Sequence, residues 1–299
     1  MKNILQYFYQ IVINDDNIDN EGYFFYNNNN WQLKKYLRNN LEINQLMILN
    51  NYMLINNIKI NKIVLNISNE PLTFYENNYY VLLKIDYKEL EISHFNTILA
   101  PNLKDLNILY RNNWDYLWES KIDYVEYQIK HFIHKYPLIF DTVNYYIGLA
   151  ENAIMYYKML DLKNEKLYIN HRRVGTEKGF FDPCELVIDY KVRDLAEFVK
   201  YNFFVKRVSI DNIINYINKI NLEKMDYLLL YVRLLFPSYY FDIYDKVING
   251  VLEEEKINDI IKYSGEYEEL LYKVFTLIRQ YVNVIEISWL RRRDFIEKT

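Results

Sequence analysis

Apolar and aromatic residues fall in short bursts over the first 87 positions. They are "LQYFYQIVI" (Leu5 to Ile13), "GYFFY" (Gly22 to Tyr26), "WQLKKYL" (Trp31 to Leu37), "KIVLNI" (Lys62 to Ile67) and "YYVLLKI" (Tyr79 to Ile85). Each burst is rich in β-branched and aromatic residues, and Asn, Asp or Gly clusters separate them, which is the pattern of strands joined by turns. The "NNNN" run from Asn27 to Asn30 reads as a polar hairpin turn. Between the third and fourth bursts Leu41, Leu46, Leu49, Tyr52 and Met53 recur at helical spacing, so one helix interrupts an antiparallel meander.

Beyond Tyr87 the period lengthens. Trp114, Leu117, Trp118, Ile122, Val125, Ile129, Phe132 and Ile133 recur at intervals of mostly three and four and predict a helix, and a second helical run follows Pro137. "KLYINHRRV" and "CELVIDY" read as two short strands around a glycine-containing loop. "VRDLAEFVKYNFF", "SIDNIINYINKI", "LEKMDYLLLYVRLLF" and the stretch from Glu266 to Arg279 then return to helix. The predicted fold class is α+β. A small antiparallel β-rich N-terminal lobe with one helix (1–87) precedes a larger, mainly helical C-terminal lobe (88–299), the two-lobed plan of protein-kinase-like folds. The lobes are expected to join near "KIDYKEL" (Lys84 to Leu90), since no Pro, Gly or Ser-rich linker appears, and no repeat of solenoid period emerges.

Composition narrows the function. With 51% hydrophobic and 17% aromatic residues the chain has ample core, which excludes a disordered protein. The 36 basic and 40 acidic residues nearly balance, so nothing in the bulk charge calls for nucleic acid. One cysteine, Cys184, permits no internal disulfide and no thiolate metal site, and among apolar neighbours it is expected to pack as a small hydrophobe. Charged or amide residues break every apolar run before it reaches membrane-spanning length, and "MKNILQYFYQIVINDD" lacks a small-residue cleavage site. The expectation is a protein made in the cytoplasm, without membrane insertion.

The segment from His171 to Phe204, "HRRV…FFDPCELVIDYKVRDLAEFVKYNFF", carries a resemblance, together with Trp114, Trp118, "YYIGLAENAIMYY" and the closing "ISWLRRR". It resembles the catalytic and metal-binding loops of aminoglycoside phosphotransferase-like kinases, in the variant form of the CotS/YutH-type spore coat proteins. The resemblance implies that His171 takes the place of the histidine of a His-Gly-Asp motif, Asp189 that of the magnesium-binding aspartate, and Asp194 that of the aspartate bracing the catalytic loop. It also exposes departures. Arg172 stands for the glycine, Arg173 for the catalytic aspartate, and Lys178 for a metal-binding asparagine.

A guanidinium is always protonated and only donates, so Arg173 neither accepts a proton nor binds magnesium. An ion pair of Arg173 with Asp189 is expected, and Asp194 is expected to cap the helix it opens. On the nucleotide side, Gly22 is the only glycine among the first 147 residues, so no glycine-rich loop cradles phosphates. Lys34 or its neighbour Lys35 is the candidate third-strand lysine, with Glu42 or another helix residue its partner, against the plainer reading of a solvated strand face.

Other constellations read as structural. His131 and His134 share a helix face without an acidic third ligand. Asp182 before Pro183 is a turn residue rather than part of a metal cluster with Glu177 and Asp189, and the aromatic stripe from Trp114 to Tyr127 has core spacing. Arg291 to Arg293 read as a solvated helix end, or else a docking patch for an acidic partner. The expected function is a catalytically inactive kinase-like component of the bacterial spore coat, with no cofactor or metal and with coat proteins as partners. The alternative is a small-molecule phosphotransferase of the aminoglycoside or choline kinase kind with rearranged catalytic residues, using Asp182 or Glu177 as base.

Overall fold

The computed structural model describes residues 1–87, 98–101, 104–132, 135–174 and 177–290. By its internal contacts the chain forms two units, 1–110 with 169–188, and 111–168 with 189–299. The first unit is therefore discontinuous in sequence, because the segment after the fourth long helix returns to it.

The first unit opens with a helix, α1 (Lys2–Tyr9), where the sequence pattern predicts a strand. Ile4 and Leu5 are buried, with Phe8 packed on the same core, which is the spacing of a helix face. Gln10 takes a left-handed conformation (φ 56°), and its amide and that of Ile11 both donate to the Leu5 carbonyl, closing the helix. The β-branched tail Ile11 and Ile13, which gave the burst its strand-like character, lies outside it and is buried in the same cluster.

β1 (Tyr23–Tyr26), β2 (Asn29–Lys35), α2 (Glu42–Ile55), β3 (Lys62–Val64), β4 (Thr73–Tyr75) and β5 (Asn78–Ile85) follow. The strands form one antiparallel sheet in the order β1-β2-β5-β3, with β4 also on β5, so it is not a plain meander. β5 is buried on both faces from Tyr80 to Leu83, as a central strand must be. Tyr26 pairs with Asn29 across Asn27 and Asn28, whose φ values of 47° and 60° make a type I′ turn that matches the twist of the strands.

Gly22 leads into β1 with φ +81°, and a Cβ there would lie 2.0 Å from the Leu33 carbonyl oxygen. Inside the unit, the buried Asn50 of α2 donates to the Asn61 carbonyl and accepts the Ile63 amide. Asn61 in turn accepts the Asp86 and Tyr87 amides, and its own amide donates to Phe181. A second sheet, in the order β6-β7-β8, joins β6 (Ile98–Leu99), β7 (Leu167–His171) and β8 (Leu186–Tyr190) around α5 (Glu177–Phe180).

The second unit is helical. α3 (Trp114–Phe132) and α4 (Pro137–Lys158) are followed by α6 (Arg193–Phe204), α7 (Ile210–Asn218), α8 (Lys224–Leu235), α9 (Ser238–Ile248), α10 (Asn258–Ile261) and α11 (Ser264–Ile278). Pro137 starts α4, where its missing N–H is an orphan in any case. The core is unusually aromatic: Tyr146 stacks on Tyr240 at 3.7 Å and Trp118 on Phe236 at 4.5 Å. The stripe along α3 divides, with Trp114, Trp118, Ile122 and Val125 buried and Tyr116, Tyr124 and Tyr127 exposed. No helix of the described residues is long and apolar enough to cross a membrane.

Candidate functional site

β8 delivers Asp189 and α6 begins four residues later at Arg193, so the turn between them sets an aspartate and a guanidinium side by side. Asp189 is fully buried. Trp114 Nε1 donates to both of its oxygens, at 2.9 and 3.0 Å, and the Tyr190 amide donates to Oδ1 at 2.8 Å. Arg193 Nη1 pairs with Oδ2. A carboxylate offers about four acceptor positions, and three protein donors, the indole N–H shared between both oxygens, engage Oδ1 and Oδ2 here.

The donors are fixed in their turn. Trp114 is fully buried, stacks on Trp118 and meets Tyr190 edge-on, and the Arg233 guanidinium lies 4.9 Å from its ring. Arg233 pairs with the buried Glu197 at 3.1 Å. The buried Lys200 donates to the carbonyls of Arg233 and Phe236 and to Ser238 Oγ. Buried charges near Asp189 are thus paired or hydrogen-bonded, which low-dielectric burial requires. Magnesium binds through carboxylate lone pairs, and at Asp189 protein donors engage both oxygens while Arg193 supplies the positive charge, an arrangement that disfavours a metal there.

Asp194 is buried in the first turn of α6, where a carboxylate meets the favourable end of the helix dipole. Val192 holds the N-cap position, and Asp194 is the second residue of the helix.

The first unit holds the other half of the resemblance. His171 is buried, with its ring 4.5 Å from that of Phe180. The Arg172 amide donates to the Glu185 carbonyl at 2.8 Å, and Arg173, part-exposed, reaches the Arg172 carbonyl at 3.2 Å. Asp182 takes its place as a turn residue: Oδ1 accepts the Cys184 amide at 2.8 Å and starts the turn Pro183–Glu185, while Oδ2 takes Lys34 Nζ.

The candidate lysine therefore pairs with Asp182, and Glu42, its expected partner, receives Arg38 Nε. Burial works against the Lys34 ammonium, but the Asp182 carboxylate, with Glu185, outweighs it and leaves the pKa above its ordinary value. Arg38 Nη1 also donates to the carbonyls of Cys184 and Leu186, at 2.8 Å each. Burial, foremost, pushes the Cys184 thiol well above its ordinary pKa, which makes it a packed hydrophobe and not a nucleophile.

His131 is exposed on α3, edge-on to Tyr127, and among the described residues no group of three His, Cys, Asp or Glu side chains is arranged to hold a metal. His134 and Arg291 to Arg293 lie outside the described residues, as do the side chains of Glu177 and Lys178. Sequence reasoning missed Arg193, Arg233 and Arg38. Only Arg38, four residues before Glu42, carried a readable signal.

Comparison with known proteins places this geometry. A sequence model of the family described as "Spore coat putative kinase YutH" matches residues 2–274. The endospore coat-associated protein YutH of Bacillus subtilis (strain 168) is 27% identical over 206 residues, 59% of this chain and 61% of that protein. The match thus spans about three fifths of that relative's length.

Among solved structures, a spectinomycin phosphotransferase in its AMP-bound complex has a TM-score of 0.61 at 12% identity, covering 92% of this chain and 96% of that one. An aminoglycoside phosphotransferase from Alicyclobacillus acidocaldarius has a TM-score of 0.54 at 11% identity, covering 90% of this chain and 96% of that one. At such identities the likeness establishes the fold: two-lobed, α+β and kinase-like.

Proposed function

This chain belongs to the family described as "Spore coat putative kinase YutH", and from that premise we propose that it is a catalytically inactive kinase-fold protein serving as a structural or assembly component of the bacterial spore coat. Its partners on this reading are other coat proteins, and its place is the coat, as the name of the Bacillus subtilis relative states for that protein.

The observation that carries the reading is the engagement of both oxygens of Asp189 by protein donors. The resemblance gives this residue the place of the magnesium-binding aspartate, and here Trp114 and the Tyr190 amide hydrogen-bond it while Arg193 supplies the positive charge. Arg173, where the resemblance expects the proton-accepting aspartate, adds a second cation unable to act as base. Lys34 supports the same reading, since its ammonium is tied to the Asp182 turn.

The alternative, a small-molecule phosphotransferase with a substitute base, draws on the named activities of its structural neighbours, and those likenesses carry only the fold. Asp182, one of its two candidate bases, already accepts from Lys34 and from the Cys184 amide.

The test is incubation of the purified chain with labelled ATP, magnesium and a panel of hydroxyl compounds including spectinomycin and choline. No labelled product above the no-enzyme background is expected. Phosphorylation that depends on this chain would overturn the reading.

A further inference from the structure

α3 and α4 are joined by a short connection and pack as neighbours, and a groove of about 580 Å³ runs along their outer seam. Its floor is apolar. Ile122 of α3 and Ile154 of α4 are buried at its base, and two methionines one helical turn apart, Met155 and Met159, are 43% and 57% exposed beside them. A methionine side chain is flexible and polarisable and reshapes itself around a partner, which suits a docking floor better than a core.

The rim is acidic and short of counterions. Glu119, Asp123 and Glu126 lie on one face of α3, and Glu151 faces them from α4. Glu119 pairs with Lys158. Asp123, Glu126 and Glu151 are exposed and take part in no ion pair among the described residues. Glu119, Asp123 and Glu126 stand at i, i+4 and i+7, so the helix keeps like charges next to each other at a cost that a cation would relieve.

From this complementarity we propose that the α3–α4 groove docks a basic amphipathic helix of a partner protein. Its apolar side chains would sit over Ile122, Ile154 and the two methionines, with lysine or arginine against Asp123, Glu126 and Glu151. A third helix laid along the seam of two packed helices presents anchors at i, i+3, i+4 and i+7, the spacing that an elongated apolar floor accepts. The proposal rests on the reading of the chain as an assembly component, and it fails separately from it. Phosphate transfer would overturn that reading and leave the groove's binding unchanged.

The experiment titrates the full chain into a fluorescent peptide of about 18 residues, with leucine at the anchor positions and lysine elsewhere, and into a glutamate counterpart with the same leucines. Asp123→Lys, Glu126→Lys and Glu151→Lys are combined in one variant. Asp16→Lys, Glu70→Lys and Glu76→Lys form a control with the same change of net charge on the first unit. Met155→Glu alone tests the floor, and circular dichroism and melting temperature check that each variant folds.

The lysine peptide is expected to bind, more weakly as salt rises, and the glutamate peptide not to bind. The groove variant and Met155→Glu should each weaken binding at least about tenfold, a loss of about 1.4 kcal/mol, with the control close to wild type. Equal weakening in groove and control variants would overturn the proposal, as would no binding by wild type. Light scattering that shows a wild-type dimer broken by the groove variant would also overturn it, since the occupant would then be a second copy of the chain.

Discussion

At Asp189 one carboxylate accepts from an indole, a backbone amide and a guanidinium, all buried. The cation that balances it is built into the chain, and this has an energetic consequence. Removing one partner of a buried pair leaves the other uncompensated, at a cost of roughly 3–5 kcal/mol. Arg193→Ala should therefore lower the unfolding free energy read from urea titration by that much, while Arg193→Lys, which keeps the charge but not the planar fork, should recover part of it. A change below about 0.5 kcal/mol, the size of an ordinary surface substitution, would show that Arg193 does not hold the carboxylate.

His171, Asp189 and Asp194, and Arg173 in place of an aspartate, are legible in the sequence through the resemblance alone. The role of Arg193 is not. Its reach to Asp189 depends on how the turn between β8 and α6 points two side chains, and no spacing rule specifies that. The same holds for Lys34: its strand position is readable, but its partner Asp182 is 148 residues away.

Elements were legible where one period dominated. α3, α4, α6, α7, α8 and α11 each show three- and four-residue spacing, and the Asn27–Asn28 turn carries the residue type that tolerates positive φ. Reading failed where two periods adjoin. From Leu5 to Ile13 a short helical face runs into an alternating β-branched tail, and strand propensity outweighed the Ile4, Leu5 and Phe8 face that tertiary burial selects.

Gly22 sets how β1 starts against β2. A methyl group there meets the Leu33 carbonyl at 2.0 Å in a left-handed backbone conformation. Gly22→Ala should destabilise the chain by at least about 1–3 kcal/mol, read as a lower melting temperature. A melting temperature equal to wild type would show that the strand entrance yields freely.

For the whole molecule, the aromatic core predicts a pH limit. Burial, foremost, raises Tyr156, Tyr231, Tyr240, Tyr244 and Tyr267 above the ordinary value of 10.0, so each holds its proton more tightly folded than unfolded. Their contribution is fully present below that value. As pH rises past it the unfolded chain releases protons first, so stability falls from there upward. A tenfold difference in proton affinity between the folded and unfolded chain is worth about 1.4 kcal/mol per tyrosine, so urea midpoints measured between about pH 8 and pH 11 should stay level and then drop steeply. A level profile through that range would show that these hydroxyls ionise without unfolding the core.

Melting the purified chain with and without millimolar ATP and magnesium tests most directly whether the protein's own donors take the proposed metal position at Asp189. A ligand that binds only the folded state stabilises it by mass action, by about 2.7 kcal/mol at a hundredfold excess over its dissociation constant. With both Asp189 oxygens engaged by the protein's own donors, the predicted melting temperature is the same in both samples. A rise of several degrees that requires both nucleotide and magnesium would contradict the account.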